Sequence, residues 1–139
     1  MKKYSVTFLG YRLDAAAGSL PSSSGIYMIY RCVYNKLTRR VKLVELFYIG
    51  QAYDLNDEIN YHERHQEFLE QASSGEQICY AYARVEKASL NIIENALVYM
   101  QKPRLNTNLT DYYNYEDAEF QIEGKCQLLK FTHFSIAGK

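Results

Sequence analysis

The strongest constraint on how this chain folds is a pair of apolar runs joined by a short polar connection. Ile26–Tyr34 reads IYMIYRCVY and Val41–Ile49 reads VKLVELFYI, with only Asn35-Lys36-Leu37-Thr38-Arg39-Arg40 between them. Both runs are rich in β-branched and aromatic residues, and so short a link suits antiparallel partners rather than a parallel crossover. The spacing predicts a hairpin. In an antiparallel pair the start of the first strand lies beside the end of the second. Gly25-Ile26-Tyr27 is thereby expected next to Tyr48-Ile49-Gly50, and Tyr27 near Tyr48 although 21 residues separate them. Taken singly, each tripeptide reads as a tyrosine packed on a sheet.

The remaining elements follow from pattern and punctuation. Tyr4–Leu13 alternates as a strand, and Asp14–Ser24 reads as a linker of small residues with Gly18, Pro21 and four serines. Asp54 is placed as a helix N-cap, and one helix is predicted from there to about Ala72 or Ser73, with Leu55, Ile59, His62 and Leu69 close to one face. Gln77–Val85 predicts a strand with Ile78, Tyr80 and Tyr82 on one side. A second helix is predicted over Ala88–Met100, its buried stripe being Leu90, Ile93, Leu97 and Met100, and Pro103 ends it. Phe120–Ile122 and Gln127–Ile136 predict a final hairpin around Glu123-Gly124-Lys125. This order of elements reads as a single α/β domain with a largely antiparallel sheet.

Composition excludes several classes. The chain has 139 residues, the size of one ordinary domain, and is long enough to bury a core without disulfides. Sixteen basic residues balance sixteen acidic ones, which argues against a generally basic nucleic-acid coat. Cys32, Cys79 and Cys126 are widely spaced, form no C-x-x-C pair and fit a reduced, cytoplasmic setting. The N-terminal Met1-Lys2-Lys3-Tyr4-Ser5 lacks the apolar run of a signal peptide, and no stretch approaches a membrane span. No membrane association is therefore expected.

An ordered set of motifs is more specific. Gly25-Ile26-Tyr27, then Tyr48-Ile49-Gly50-Gln51-Ala52-Tyr53-Asp54-Leu55, then His62, then Glu94 on a helix, then Pro103-Arg104-Leu105-Asn106 resembles the GIY-YIG nuclease family. The resemblance runs from about residue 20 to residue 106, leaving 107–139 as a C-terminal extension. It implies a small central, largely antiparallel sheet flanked by helices, here with an extra N-terminal strand and a C-terminal hairpin. It also implies DNA phosphodiester cleavage assisted by one divalent ion, Mg²⁺ or Mn²⁺. Carried over by position, Tyr27 and Tyr48 match the signature tyrosines and His62 the histidine of the first helix. Glu94 matches the metal-binding glutamate, and Asn106 the asparagine after the proline.

The chemistry is coherent with those types. Cleavage needs an activated water and stabilisation of the charge that develops on the phosphoryl group. Glu94 suits a hard cation. Tyr27 is placed to position or deprotonate water, although a free phenol with a pKa of about 10 is a poor base, and His62 to share the proton work. One position departs from the family. The arginine expected ten residues after the second tyrosine is replaced by Glu58, which repels phosphate instead of holding it. From Asp54 to Glu76 seven acidic residues accompany one basic residue, Arg64. On a continuous helix Arg64 lies about 240° from Glu58 and is not expected to substitute. Arg31, Lys42 or Arg104 remain as alternative sources of a cation. Glu58, His62 and His65 also read as a metal-binding face at helical spacing.

The predicted hairpin is the basic patch of the chain. Arg31, Lys36, Arg39, Arg40 and Lys42 fall within Arg31–Lys42, a stretch without an acid, either to contact DNA phosphates or as charges protecting a solvated tip. The functional expectation is a GIY-YIG-type, metal-dependent DNA endonuclease, or a nuclease-like domain whose catalysis is impaired by Glu58 in place of the arginine, acting with a protein partner or as a homodimer. The alternatives are a non-catalytic nucleic-acid- or protein-interaction module on the same fold, or hydrolysis of another phosphate-containing substrate.

Overall fold

A computed structural model describes residues 1–138. Its strands are β1 (Lys2–Leu13), β2 (Gly25–Asn35), β3 (Arg40–Ala52), β4 (Gln77–Arg84), β5 (Ala118–Gly124) and β6 (His133–Ile136). Its α-helices are α1 (Leu55–Asn60), α2 (His65–Leu69) and α3 (Leu90–Gln101). The strands form one mixed, mostly antiparallel sheet in the order β3-β2-β4-β1-β5-β6. It curls into a half-barrel carrying a few short helices. The pairing of β1 with β5 is parallel, whereas β1–β4, β2–β3, β2–β4 and β5–β6 are antiparallel.

Strands β2 and β4 sit inside the sheet and are covered on both faces, which explains why they read as nearly unbroken apolar runs. Their side chains alternate between two cores. Ile26, Met28, Tyr30 and Cys32 of β2 join Cys79, Ala81 and Ala83 of β4 under α3. Tyr27 and Ile29 join Ile78, Tyr80 and Tyr82 on the opposite face, under Leu20, Leu55, Ile59 and Phe68. The predicted grouping of Ile78, Tyr80 and Tyr82 is thus present. The β2–β3 register is broken twice, leaving Val44 and Phe47 of β3 without a partner across the pair. Such bulges bend and twist a strand, in keeping with the curl.

Several boundaries differ from expectation. The linker is ordered as a 3-10 turn over Asp14–Ser19. The N-terminal strand is not appended to an edge but inserted between β4 and β5, joining the β2–β3–β4 part of the sheet to the C-terminal strands. The final two strands do pair, but residues 125–132 connect them in place of a tight turn. The largest correction concerns the first helix. It is two short helices separated by residues 61–64, and α1 ends when Tyr61 caps it in a non-helical conformation. Asp54 is its N-cap as predicted, accepting a bond from the Asp57 backbone N–H at 3.0 Å.

Candidate active site at the end of the β2–β3 hairpin

The two tripeptides are register neighbours. Tyr27 faces Gly50, Gly25 faces Ala52, and Ile29 faces Tyr48. Gly50 is required by close approach, because a Cβ there would overlap the Tyr27 ring and hydroxyl. Gly25 is similarly constrained, since a Cβ would meet the Ala83 carbonyl and Leu55. Gly50 thus lets the Tyr27 ring approach the neighbouring strand closely. Tyr27 and Tyr48 stand with ring centroids 6.2 Å apart, and His62 packs edge-on to both, at 6.5 and 6.0 Å.

Tyr27 is 1% exposed, and its hydroxyl donates to Glu58 Oε2 at 3.0 Å. Burial first, then the Glu58 charge, pushes this phenol far above its ordinary value. His62 Nε2 lies 3.5 Å from the same Glu58 oxygen. Its Nδ1 accepts the Arg64 backbone N–H at 2.9 Å. That bond assigns the proton of the neutral ring to Nε2. Burial holds His62 below the usual imidazole range despite the nearby Glu58. The Nε2 of His62 thus faces the Glu58 carboxylate, while its Nδ1 is occupied by the backbone.

The break between α1 and α2 overturns the expectation for Arg64. The chain turns before Arg64, so the guanidinium swings over the Tyr48 ring, 5.3 Å from its centroid, and over Phe68 at 5.4 Å. Glu67 holds it through two hydrogen bonds, at 2.8 and 3.2 Å, and the Leu105 carbonyl accepts a third at 3.2 Å. Arg64, Tyr48, Glu94, Asn106 and residues 107–109 line one cleft of about 160 Å³. Burial raises the Tyr48 phenol, and the Arg64 charge opposes that rise. Two of the other proposed cations are committed elsewhere. Arg31 pairs with Glu45 at 3.0 Å and Glu76 at 2.9 Å. Arg104 makes two bonds to the same Glu45, both 3.0 Å. Lys42 is exposed on the hairpin.

Glu94 stands on α3 at the outer edge of β3. Gln51, the residue after the second tripeptide, donates to Glu94 Oε1 at 2.8 Å and to Asn91 at 2.8 Å. Burial raises the Glu94 carboxyl above the ordinary carboxylate value, and Gln51 partly offsets this. Gln51 has no sequence signal beyond its adjacency to Gly50. Asn106 plays a structural part. Its side-chain carbonyl accepts from the Ile49 N–H at 3.0 Å, and its amide nitrogen donates to the Ile49 carbonyl at 2.8 Å. It thereby caps the open edge of β3 and pins the strand that carries Tyr48, where unpaired backbone groups would otherwise stand.

The helical metal face does not form. His65 turns away to Asp14, 2.9 Å from its carboxylate, which also accepts from Tyr80 at 2.6 Å. Among the described residues no cluster of three or more His, Cys, Asp or Glu side chains could hold a metal ion. Glu94 alone still fits a Mg²⁺ ion bound with substrate phosphate and water, since Mg²⁺ usually takes only one or two carboxylates. A partly buried carboxylate disfavoured in its charged form gains from such a cation. No helix is long and apolar enough to cross a membrane among the described residues. The chain matches no family model, no curated protein and no solved structure.

Proposed function

We propose that the chain is a GIY-YIG-type phosphodiester hydrolase acting on DNA, with Arg64 in the role of the missing arginine and Glu58 as proton acceptor. The observation that carries this reading is convergence: Tyr48, Arg64 and Glu94 line one cleft, and Tyr27 and His62 pack against Tyr48 behind it, so that four separate segments meet there. A water attacks phosphorus, and the bond from phosphorus to the leaving oxygen breaks. As the water gives a proton to the Tyr27 oxygen, Tyr27 gives its own proton to Glu58 Oε2. The relay avoids a buried phenolate, which the surroundings of Tyr27 strongly disfavour. The leaving oxygen takes a proton from solvent. Arg64 balances the charge that grows on the phosphoryl oxygens, held ready by Glu67 and Tyr48. Glu94 would hold Mg²⁺ or Mn²⁺, which when bound neutralises phosphate and leaving-group charge. Asn106 acts at a distance as a positioning residue.

The test is cleavage of short labelled single- and double-stranded DNA with Mg²⁺ or Mn²⁺. Wild type is expected to cut. Arg64→Ala should lower kcat by about 100-fold, the usual cost of removing one transition-state donor. Tyr27→Phe and Glu94→Ala should abolish activity. Cutting that ignores Arg64→Ala would sink the assignment of Arg64. An inert wild type would select the rival reading, a non-catalytic interaction module on the same fold. One observation favours that rival: the pocket next to the cleft, about 290 Å³, is lined by Glu58, Tyr61, His62 and Glu63, and its carboxylates repel phosphate.

A further inference from the structure

A second concavity lies at the other end of the β2–β3 hairpin, with a volume of about 730 Å³. Sequence pattern places Arg39 and Arg40 at a charged tip. The fold adds Tyr11 and Arg12 from β1, Tyr34 from β2 and Lys125 from the connection after β5. Four cations and two tyrosines line this groove, and no carboxylate does. Arg12 is anchored by Ser19 at 2.6 Å and by the Tyr82 hydroxyl at 3.2 Å, not by an acid. Arg39, Arg40 and Lys125 are exposed, and their side chains have no ion-pair or hydrogen-bond partner among the described residues. This contrasts with Arg31, Arg64 and Arg104, each held by glutamate. The tip is built to a shape. Asn35 Oδ1 accepts from the N–H groups of Leu37 and Thr38 at 2.9 and 3.1 Å. Arg39 then closes the turn in the left-handed region, with φ of 56°. Tyr11 is fixed through its hydroxyl, which accepts the Gln127 N–H at 3.0 Å, and through an edge contact with Tyr30.

We infer that this groove binds single-stranded nucleic acid, its cations meeting phosphates and Tyr34 and Tyr11 meeting bases. Unpaired cations beside half-buried aromatic rings are the pairing that such ligands use, because every base offers a flat face and every phosphate a charge. A duplex satisfies the cations but keeps its bases stacked inside, out of reach of the tyrosines. An acidic peptide likewise satisfies the cations and leaves the rings without a planar partner. Binding at this groove deepens the nucleic-acid side of the proposed function and does not depend on the cleft being catalytic.

The experiment is fluorescence anisotropy with a labelled oligothymidylate and a duplex of equal length, in EDTA so that no cleavage contributes. Titrations at about 50 and 200 mM salt give the dependence of affinity on salt. Wild type should bind the single strand about fivefold or more tightly than the duplex. The combined variant Arg39→Gln, Arg40→Gln, Lys125→Gln should flatten the log–log salt slope by about 2, at ~0.7 per lost phosphate contact on single strands. Tyr34→Leu should weaken single-strand binding about tenfold, and Tyr34→Phe should restore it. Circular dichroism confirms folding, and Lys125→Gln alone, on an exposed connection, tests the groove without touching a strand. Equal binding of duplex and single strand with Tyr34→Leu neutral would overturn the inference in favour of a simple charged surface. Displacement by polyglutamate as efficient as by unlabelled oligonucleotide would overturn it in favour of an acidic peptide. Binding that ignores the triple variant would also overturn it. Absence of cleavage in the metal assay bears on the cleft alone.

Discussion

The two ends of the β2–β3 hairpin are built on opposite electrostatic plans. At one end Tyr27 and Tyr48 sit among Glu58, Glu63 and Glu94, and the cation that reaches them, Arg64, is clamped by Glu67. At the other end Arg39, Arg40 and Lys125 stand free of acids. Tyr27 and Tyr34 mark the two ends on one strand and lie about 23 Å apart at a rise of ~3.3 Å per residue. That exceeds a Debye length of about 8 Å at physiological salt, so charge at one end does little to neutralise the other. A neutral chain can therefore carry both a phosphate-repelling rim and a phosphate-attracting groove. The lesson is that a net charge of zero describes neither region.

The largest effect is expected at Gly50. Gly50→Ala places a methyl group on the Tyr27 ring, and overpacking of that kind costs about 1–3 kcal/mol. A urea midpoint equal to wild type would mean that the ring moves aside freely. Next in size is Asn106→Ala. It strips both hydrogen bonds from the Ile49 backbone and should destabilise by about 1–3 kcal/mol through the unsatisfied groups left behind. Chemical denaturation checks this, and oligothymidylate binding at the groove should survive in the folded fraction.

Glu94→Gln should act more gently and with the opposite sign. Burial raises the folded carboxyl above its unfolded value, so the native state holds that proton more tightly. The stability this contributes is fully present below about pH 4.3, the usual unfolded value, and is lost as pH rises through the raised folded value. Above that window the charged side chain is a burden that glutamine removes, while still accepting from Gln51. Melting curves should show Glu94→Gln more stable than wild type at pH 7, with the gap closing below pH ~4. Added Mg²⁺ should raise the wild-type Tm more than that of the variant. A gap that widens on acidification would contradict the burial of Glu94 as described.

The smallest effect is expected at the tip. Lys36→Gln with Lys42→Gln removes two exposed charges and should leave stability within about 0.5 kcal/mol. Their contribution to oligonucleotide binding should be weaker than that of Arg39, Arg40 and Lys125, because neither lysine lines the groove. A larger loss from the two lysines than from the groove residues would relocate the binding surface to the outer hairpin.

Much of this architecture is legible in the sequence. Local pattern suffices for the hairpin, because apolar alternation, a short polar link and two glycine-bearing ends all point to the same pairing. The Tyr27–Tyr48 neighbourhood follows from that pairing. Asp54 as N-cap is local chemistry, and so is the α3 stripe. What escaped was decided by tertiary contact. Nothing in residues 54–73 announces a break, since no proline or glycine interrupts them. The turn at 61–64 is sustained by contacts from afar, including Arg64 to the Leu105 carbonyl and His65 to Asp14. Helical propensity is worth at most about 0.7 kcal/mol per ordinary residue, so a few such contacts outweigh it. That break carries Arg64 to the Tyr48 ring, where a continuous helix would have turned it away. The groove is likewise a product of topology, because β1 lies between β4 and β5 and brings Tyr11 and Arg12 within reach of Tyr34 and Lys125. Short-range signals encode elements and their neighbours along the chain. Which distant side chains share a cavity depends on strand order and on one interrupted helix, and those are settled by burial summed over the whole molecule.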